Sequence, residues 1–261
     1  MPKLGLARLV PHLGRLGRAE RWKRTKARPR VWAHRGASAL APENTIAAFE
    51  LAKTAGADGI ELDVRLDGDG HVVVFHDKDL HRLCGRPGRM EDLSAHERKA
   101  LRVRGEPVPT LAEVFEILGD LELNVEIKAN QPGRMGALVA ATATVIRHSG
   151  RADQVIVSSF DPFSLVQFHR HMNDIALAFL FGKDQSLPLR KGWVGTWMGA
   201  SVLHPEHSLI NEATMKAWRT AGFPINTWTV DDPAELRRLS DLGVDGVFAN
   251  DPAAALAVLT S

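Results

Sequence analysis

The 261-residue sequence has no tyrosine and a single cysteine, Cys84. Without tyrosine, no phenol is available as an acid, base or nucleophile. A lone cysteine closes no intrachain disulfide, so the expected home is a reducing compartment, the cytoplasm. Cys84 also stands in no nucleophile motif with a histidine, which gives it a structural or surface role. No apolar run approaches the roughly 20 residues that span a bilayer. The first thirty residues lack a long apolar stretch too, because Arg8, Arg15 and Arg18 interrupt it, and a secretory signal is not expected. Positive charge is scarce in the body of the chain. Ten Lys and Arg against Glu20 make residues 1–30 +9, so residues 31–261 carry −7 beneath the overall +2. An acidic body argues against broad nucleic-acid binding.

The basic segment 1–30 admits two readings. It is a flexible tail, since Pro11, Gly14 and Gly17 weaken any helix. Alternatively, Leu6, Leu9, Leu13 and Leu16 recur at helical spacing, and a basic amphipathic segment would lie on the anionic inner face of a membrane. The expectation is the flexible tail, with the folded domain running from 31 to 261.

From Val31 a rhythm sets in of short apolar strand, polar turn and amphipathic helix. The strand candidates are 31–34, 59–64, 121–128, 154–160, 175–180, 200–204, 224–230 and 245–250. The intervening helices carry punctuation. Asn44 is read as an N-cap with Gly56 past the helix end, Thr110 with Glu113 forms a capping box, and Pro233 and Gly243 bracket a third helix. Eight strands alternating with helices predict an α/β fold, a (β/α)8 barrel, with a doubly wound open sheet as the rival. The barrel is favoured because polar residues collect at strand C-terminal ends, which a barrel brings around one mouth. Residues 78–109 form a short irregular insertion of a length that is often functional.

The segment "ELDVRLDGDGHVVVFHD", residues 61–77, predicts a β-hairpin extending the second strand and turning at Asp67–Gly70. With Gly68 and Asp69 central, Asp63 falls opposite Val74 and Glu61 opposite His76. Period two puts Glu61 and Asp63 on one face. Two adjacent carboxylates repel unless a cation sits between them. A divalent ion with oxygen ligands, Mg²⁺ or Ca²⁺ with Mn²⁺ a further candidate, resolves this. The hairpin is thus a device for setting a metal beside a histidine. Other strand ends add to it. His34 and Arg35 close the first strand, and Arg offers a fork of donors for phosphate oxygens. Glu126 and Lys128 share a face, giving a third carboxylate and a point charge. Three acids, a fork and a lysine make a phosphoester site.

The stretches "HRGASALAPENTIAAFELAKTAGADGIELDV", "VVVFHD", "PTLAEVF", "NVEIK", "SSF" and "NTWTV" resemble the glycerophosphodiester phosphodiesterase family, in order, from residue 31 to the C-terminus. The resemblance implies a TIM barrel and metal-dependent hydrolysis of a small-molecule glycerophosphodiester to glycerol 3-phosphate and an alcohol, through a cyclic glycerophosphate. It assigns His34 and His76 as the acid–base pair, in either order, and Glu61, Asp63 and Glu126 as metal ligands. It puts Arg35 and Lys128 on the phosphate and Trp228 beside the glycerol. Phe160, after two serines at a strand end, is a candidate pocket wall, and Glu43 a partner of Arg35. Two rival functions remain: a lysophospholipase D working at a membrane surface, and an inactive barrel that binds phosphodiesters.

Overall fold

The computed structural model describes residues 15–129, 133–186 and 193–261, apart from the side chains of Arg15, Trp193 and Trp197. Among them the strands are, in chain order, β1 (Arg30–His34), β2 (Gly59–Leu66), β3 (Val72–Val74), β4 (Arg102–Val103), β5 (Glu106–Pro107), β6 (Glu122–Ile127), β7 (Val155–Ser159), β8 (Ala176–Phe181), β9 (Val202–Pro205), β10 (Asn226–Thr227) and β11 (Gly246–Ala249). Eight of these run parallel in the order β10-β11-β1-β2-β6-β7-β8-β9, with β3 paired to β2 alone. Two parallel bridges, Leu203–Ile225 and Glu206–Trp228, join β9 to β10 and bring the ends of the sheet together. The fold is the (β/α)8 barrel, and the open sheet is excluded.

Alternation along each strand sorts the side chains. On β2, Ile60, Leu62 and Val64 face outward and pack with Phe49 and Ala52 of the helix Ile46–Thr54 in the main core. The inner face is a separate cluster that includes Trp22, Trp32, Ile156, Ala178 and Phe248. Trp32 fits inside because its neighbours are bare. A Cβ on Gly59 would lie 2.4 Å from the Trp32 ring, and one on Gly246 2.8 Å from its Nε1. The insertion 78–109 folds as two short helices, His81–Cys84 and Ala95–Ala100, with the β4–β5 ribbon. It closes over its own small core of Phe75, Leu80, Met90, Leu101 and Val108.

The basic segment differs from the expected flexible tail wherever the structure describes it. Arg15–Glu20 is a helix, Ala19 and Trp22 are buried, and the Trp22 ring meets Trp32 with centroids 6.0 Å apart. Residues 15–30 therefore close the N-terminal end of the barrel, and the folded unit begins before Val31. The charge asymmetry has the same origin. Lys26 and Arg28 pair with Asp58, and Arg21 and Arg30 with Glu122. Arg24 donates through its backbone N to Asp245 at 2.6 Å and through Nη1 to Ser240 O at 2.9 Å. The segment's charge thus answers acids of the body. Leu16 is exposed, while Leu6, Leu9 and Leu13 lie outside the described residues. Trp22→Ala should cost about 3–5 kcal/mol, as aromatic truncations in cores do. Leu16→Ala should stay within about 0.5 kcal/mol. Equal denaturation midpoints for the two variants would refute the closing role.

The hairpin is present with its register one residue away from expectation. Val64 pairs with Val74, Arg65 with Val73 and Leu66 with Val72. The loop has three central residues, because Gly70 takes φ 89° and the Asp67 N–H donates to His71 O at 3.1 Å. Three-residue hairpin loops use such a left-handed position. Gly68 anchors the loop: its N–H donates to Leu93 O at 2.7 Å, and a Cβ there would lie 2.8 Å from that oxygen. His76 is therefore not the cross-strand partner of Glu61. It stands beyond the ladder's end, where Arg65 donates to its carbonyl through Nε at 3.0 Å and Nη2 at 2.7 Å.

Candidate active site

Strand register gathers the first residues of the site. His34 of β1 is level with Glu61 of β2, and Asp63 is level with Glu126 of β6. Level residues on parallel strands share a face, so all four project to the inside at the barrel's C-terminal end. Carboxylate oxygens of Glu61, Asp63 and Glu126 lie within 4.8 Å of one another, and all three residues are buried. Lys128 Nζ sits 2.9 Å from Asp63 Oδ1 and 2.5 Å from Glu126 Oε1. Arg35 reaches the cluster twice, through its backbone N–H to Glu61 Oε2 at 3.0 Å and its Nε to Asp63 Oδ2 at 3.3 Å.

That double reach needs an unusual backbone. Arg35 has φ 57° and Gly36 φ 83°. A Cβ on Gly36 would lie 2.7 Å from Ala48, so the turn after β1 is built around a glycine. Asn44, at φ 58°, is the second strained residue. It is not the helix cap expected for it. Thr45 takes that place, its Oγ1 accepting from the Ala48 N–H at 3.3 Å. Asn44 instead orients a carboxylate: its Nδ2 donates to Asp63 Oδ2 at 2.8 Å, and its Oδ1 accepts from the Asp63 N–H at 3.3 Å. Non-glycine residues held in this region cost of order 1–3 kcal/mol each and cluster at functional sites.

The charges do not balance among the described groups. Burial, then Asp63 and Glu126, pushes the Glu61 carboxyl well above the usual carboxylate range. Burial raises Glu126 as well, against the pull of Lys128. Burial would also raise Asp63, but Lys128 and Arg35 outweigh it and hold that carboxyl far down. Three buried acids share two cations, one of which, Arg35, also serves Glu43 at 2.7 Å. A further positive charge is what this oxygen-only donor set fits, and a hard divalent cation supplies it.

The two histidines are anchored at Nδ1 by different partners. Asn250 Nδ2 donates to Asp231 Oδ2 at 2.5 Å, so Asn250 Oδ1 faces His34 Nδ1 at 2.7 Å. His34 Nδ1 then carries the proton, leaving Nε2 bare and 4.0 Å from Glu61 Oε2. Burial, then Arg35, lowers His34 to about 4. His76 Nδ1 lies 2.7 Å from Asp77 Oδ1. Burial lowers His76 too, with Asp63 opposing.

A cavity of about 200 Å³ opens between these groups, lined by His34, Arg35, Glu61, His76, Glu126, Lys128, Phe160 and Trp228. Of the nine residues given catalytic, metal or substrate roles from sequence, Asp63 alone is behind the wall, fully buried. Phe160 meets Trp228 edge-on at 5.3 Å, and Trp228 Nε1 donates to His204 O at 2.8 Å, which fixes an aromatic side to the cavity. His204 is entirely buried against Phe248, and burial lowers it to about 3. It is a neutral histidine of the barrel interior. Sequence reasoning assigned no role to Asn250, Arg65, Asp77 or Arg82, all of which hold site residues. Their signal was weak, since each is an ordinary polar residue in a loop, a strand or a four-residue helix.

Comparison with known proteins agrees with this site. Residues 34–254 match the Glycerophosphoryl diester phosphodiesterase family. The chain is 36% identical over 240 residues to a glycerophosphodiester phosphodiesterase of Caldanaerobacter subterraneus subsp. tengcongensis, covering 85% of this chain and 94% of that protein. Among solved structures, an Oleispira antarctica phosphodiesterase in complex with the product sn-glycerol-3-phosphate superposes with a TM-score of 0.82 at 29% identity, covering 90% of this chain and 98% of that one. A Thermotoga maritima glycerophosphodiester phosphodiesterase gives a TM-score of 0.73 at 31% identity over 88% of this chain and 98% of that one. With a match from the first site histidine almost to the C-terminus, the chain belongs to the glycerophosphoryl diester phosphodiesterase family, and it is an enzyme of glycerophosphodiester hydrolysis.

Proposed function

We propose that hydrolysis to glycerol 3-phosphate and an alcohol runs through His34 and His76 as an acid–base pair, with the substrate's own 2-hydroxyl as first nucleophile. The observation that carries this reading is the pair of imidazoles on one cavity, each held at Nδ1 by a partner side chain. The Oleispira protein's bound product fits the same chemistry.

The partners divide the roles. Asp77 is an anion that favours an imidazolium, so His76 is the acid of the first step, and His34, held by a neutral amide, is the base. His34 Nε2 takes the 2-hydroxyl proton, and the oxygen attacks phosphorus. The bond to the leaving alcohol breaks, and His76, which enters the step as the imidazolium, gives that oxygen the proton from Nε2. A cyclic glycerophosphate results. In the second step His76 takes a proton from water, the hydroxide opens the ring, and His34 returns its proton to the 2-oxygen. Arg35 and Lys128 offset the charge that builds on the phosphoryl oxygens. Trp228 and Phe160 pack against the glycerol carbons. Glu61, Asp63 and Glu126 would hold one divalent cation, Mg²⁺, Ca²⁺ or Mn²⁺, which as a Lewis acid lowers the cost of negative charge at the phosphoryl group. No helix among the described residues is long and apolar enough to cross a membrane. With Cys84 a free thiol, the cytoplasm is the proposed site of action.

Replacing glycerophosphocholine by its 2-deoxy analogue tests the nucleophile. The analogue should be hydrolysed at least about 10²-fold more slowly, because an oriented intramolecular attack is lost. Similar rates on both would show that water attacks directly.

A further inference from the structure

Resting on the acid–base reading above, we infer that Arg82 is a positioning residue that locks His76 and Arg35 into one array. Its guanidinium spans two carboxylates from different loops. Nε donates to Asp77 Oδ2 and Nη2 to Asp77 Oδ1, each at 2.7 Å. Nη1 donates to Glu43 Oε2 at 2.7 Å, and Nη2 to Glu43 Oε1 at 2.9 Å. Each carboxylate passes the contact on. Asp77 Oδ1 meets His76 Nδ1, and Glu43 Oε1 accepts from Arg35 Nη1, both at 2.7 Å. Arg35 then reaches Asp63. One unbroken chain of side chains thus runs from the imidazole to the carboxylate cluster, with Arg82 at its centre.

Two features separate this from an ordinary surface ion pair, and its exposure makes the role testable. The geometry is two-sided and forked, which a lysine ammonium does not reproduce. Burial would raise the Asp77 carboxyl, yet Arg82 and His76 hold it at about 2, so it stays ionised beside the imidazole. The Arg82 side chain is 51% exposed. Exposed ion pairs contribute little to stability. The residue sits on a four-residue helix pinned by buried Leu80 and Leu83, so its backbone stays in place without the guanidinium. An effect on turnover that exceeds the effect on folding is therefore the signature of positioning.

Full-length protein with Mg²⁺ is assayed on glycerophosphocholine. Arg82→Ala should lower kcat/KM by about 10–100-fold, the usual effect of losing a group that orients a site residue. Its thermal midpoint should stay near that of Arg86→Ala, an exposed control. Guanidinium ion should restore Arg82→Ala saturably and leave His76→Ala unaffected, and Arg82→Lys should remain impaired. Combining Glu43→Gln with Arg82→Ala should lose no more than about threefold beyond the worse single variant, since the two act as one unit. A second readout needs no turnover. The His76 Nδ1–H resonance, assigned by its absence in His76→Ala, should broaden in Arg82→Ala. The inference is overturned by Arg82→Ala activity within about threefold of wild type. It is equally overturned by a loss that guanidinium does not rescue, or by an unchanged His76 resonance. If wild type and His76→Ala turn over alike, the acid–base reading fails instead, and the resonance still decides whether Arg82 holds the ring.

Discussion

His34→Ala and His76→Ala should each lower kcat/KM on glycerophosphocholine by roughly 10²–10⁴-fold, the usual span for the loss of one positioned proton-transfer group. Neither change should unfold the barrel. Both rings are partly exposed at the cavity, and neither fills the interior cluster beneath it. The two variants should also differ from each other. A substrate whose leaving alcohol is already acidic, such as a nitrophenol, needs little help from an acid in the first step. His76→Ala should therefore recover cyclisation of such a substrate, with the cyclic product accumulating, and His34→Ala should not. Recovery by His34→Ala alone would reverse the assignment of base and acid. Retention of more than about a tenth of the wild-type rate by either would remove that histidine from the mechanism.

Stripping divalent ions should abolish turnover, by at least about 10³-fold, if the ion supplies the several kcal/mol usual for a Lewis acid at a phosphoryl group. Readdition of Mg²⁺, Ca²⁺ or Mn²⁺ should restore it. Stability gives an independent sign. In the stripped protein, Glu61 and Glu126 are carboxyls crowded by burial and by the charge of Asp63. Glu61→Gln relieves that crowding and keeps an oxygen acceptor for the Arg35 N–H. The stripped variant should therefore melt above stripped wild type, while the rise on adding ion, which follows binding, should shrink. Full turnover after chelation, or a lower midpoint for the stripped variant, would defeat the metal reading.

The sequence made the barrel legible through its repeated strand–turn–helix punctuation, and the site through chemistry placed at strand ends. Glu61 and Asp63 were visible because carboxylates two apart in an apolar strand have few other uses, and Glu126 because it shares a strand face with Lys128. The register of the hairpin was not legible. It depends on Gly70 turning left-handed and on Gly68 touching Leu93, a contact with a segment more than twenty residues away. Asn44 was misread for a related reason. An Asn before a helix looks like a cap, and its neighbour Thr45 serves that role equally well. The basic segment was misread because composition reports charge without its partners. Asp58, Glu122 and Asp245, which engage it, are far apart in sequence and meet only at the closed end of the barrel.

That closed end also sets an order of events during synthesis. Val31 pairs with Val247, so the first barrel strand finds its second neighbour only after the whole intervening chain has been made. At ~5–20 residues per second, the two partners emerge roughly 10–40 s apart. Throughout that interval β1 has one unpaired edge, and Trp32, which Trp22 meets on another side, lacks Phe248 to stack on. Arginines and lysines surround those two rings in the sequence, from Arg15 to Arg30. Charge of one sign keeps such nascent chains apart, as it does along exposed strand edges. The same residues that later pair with the acids of the finished barrel would thus act first as its solubility guard.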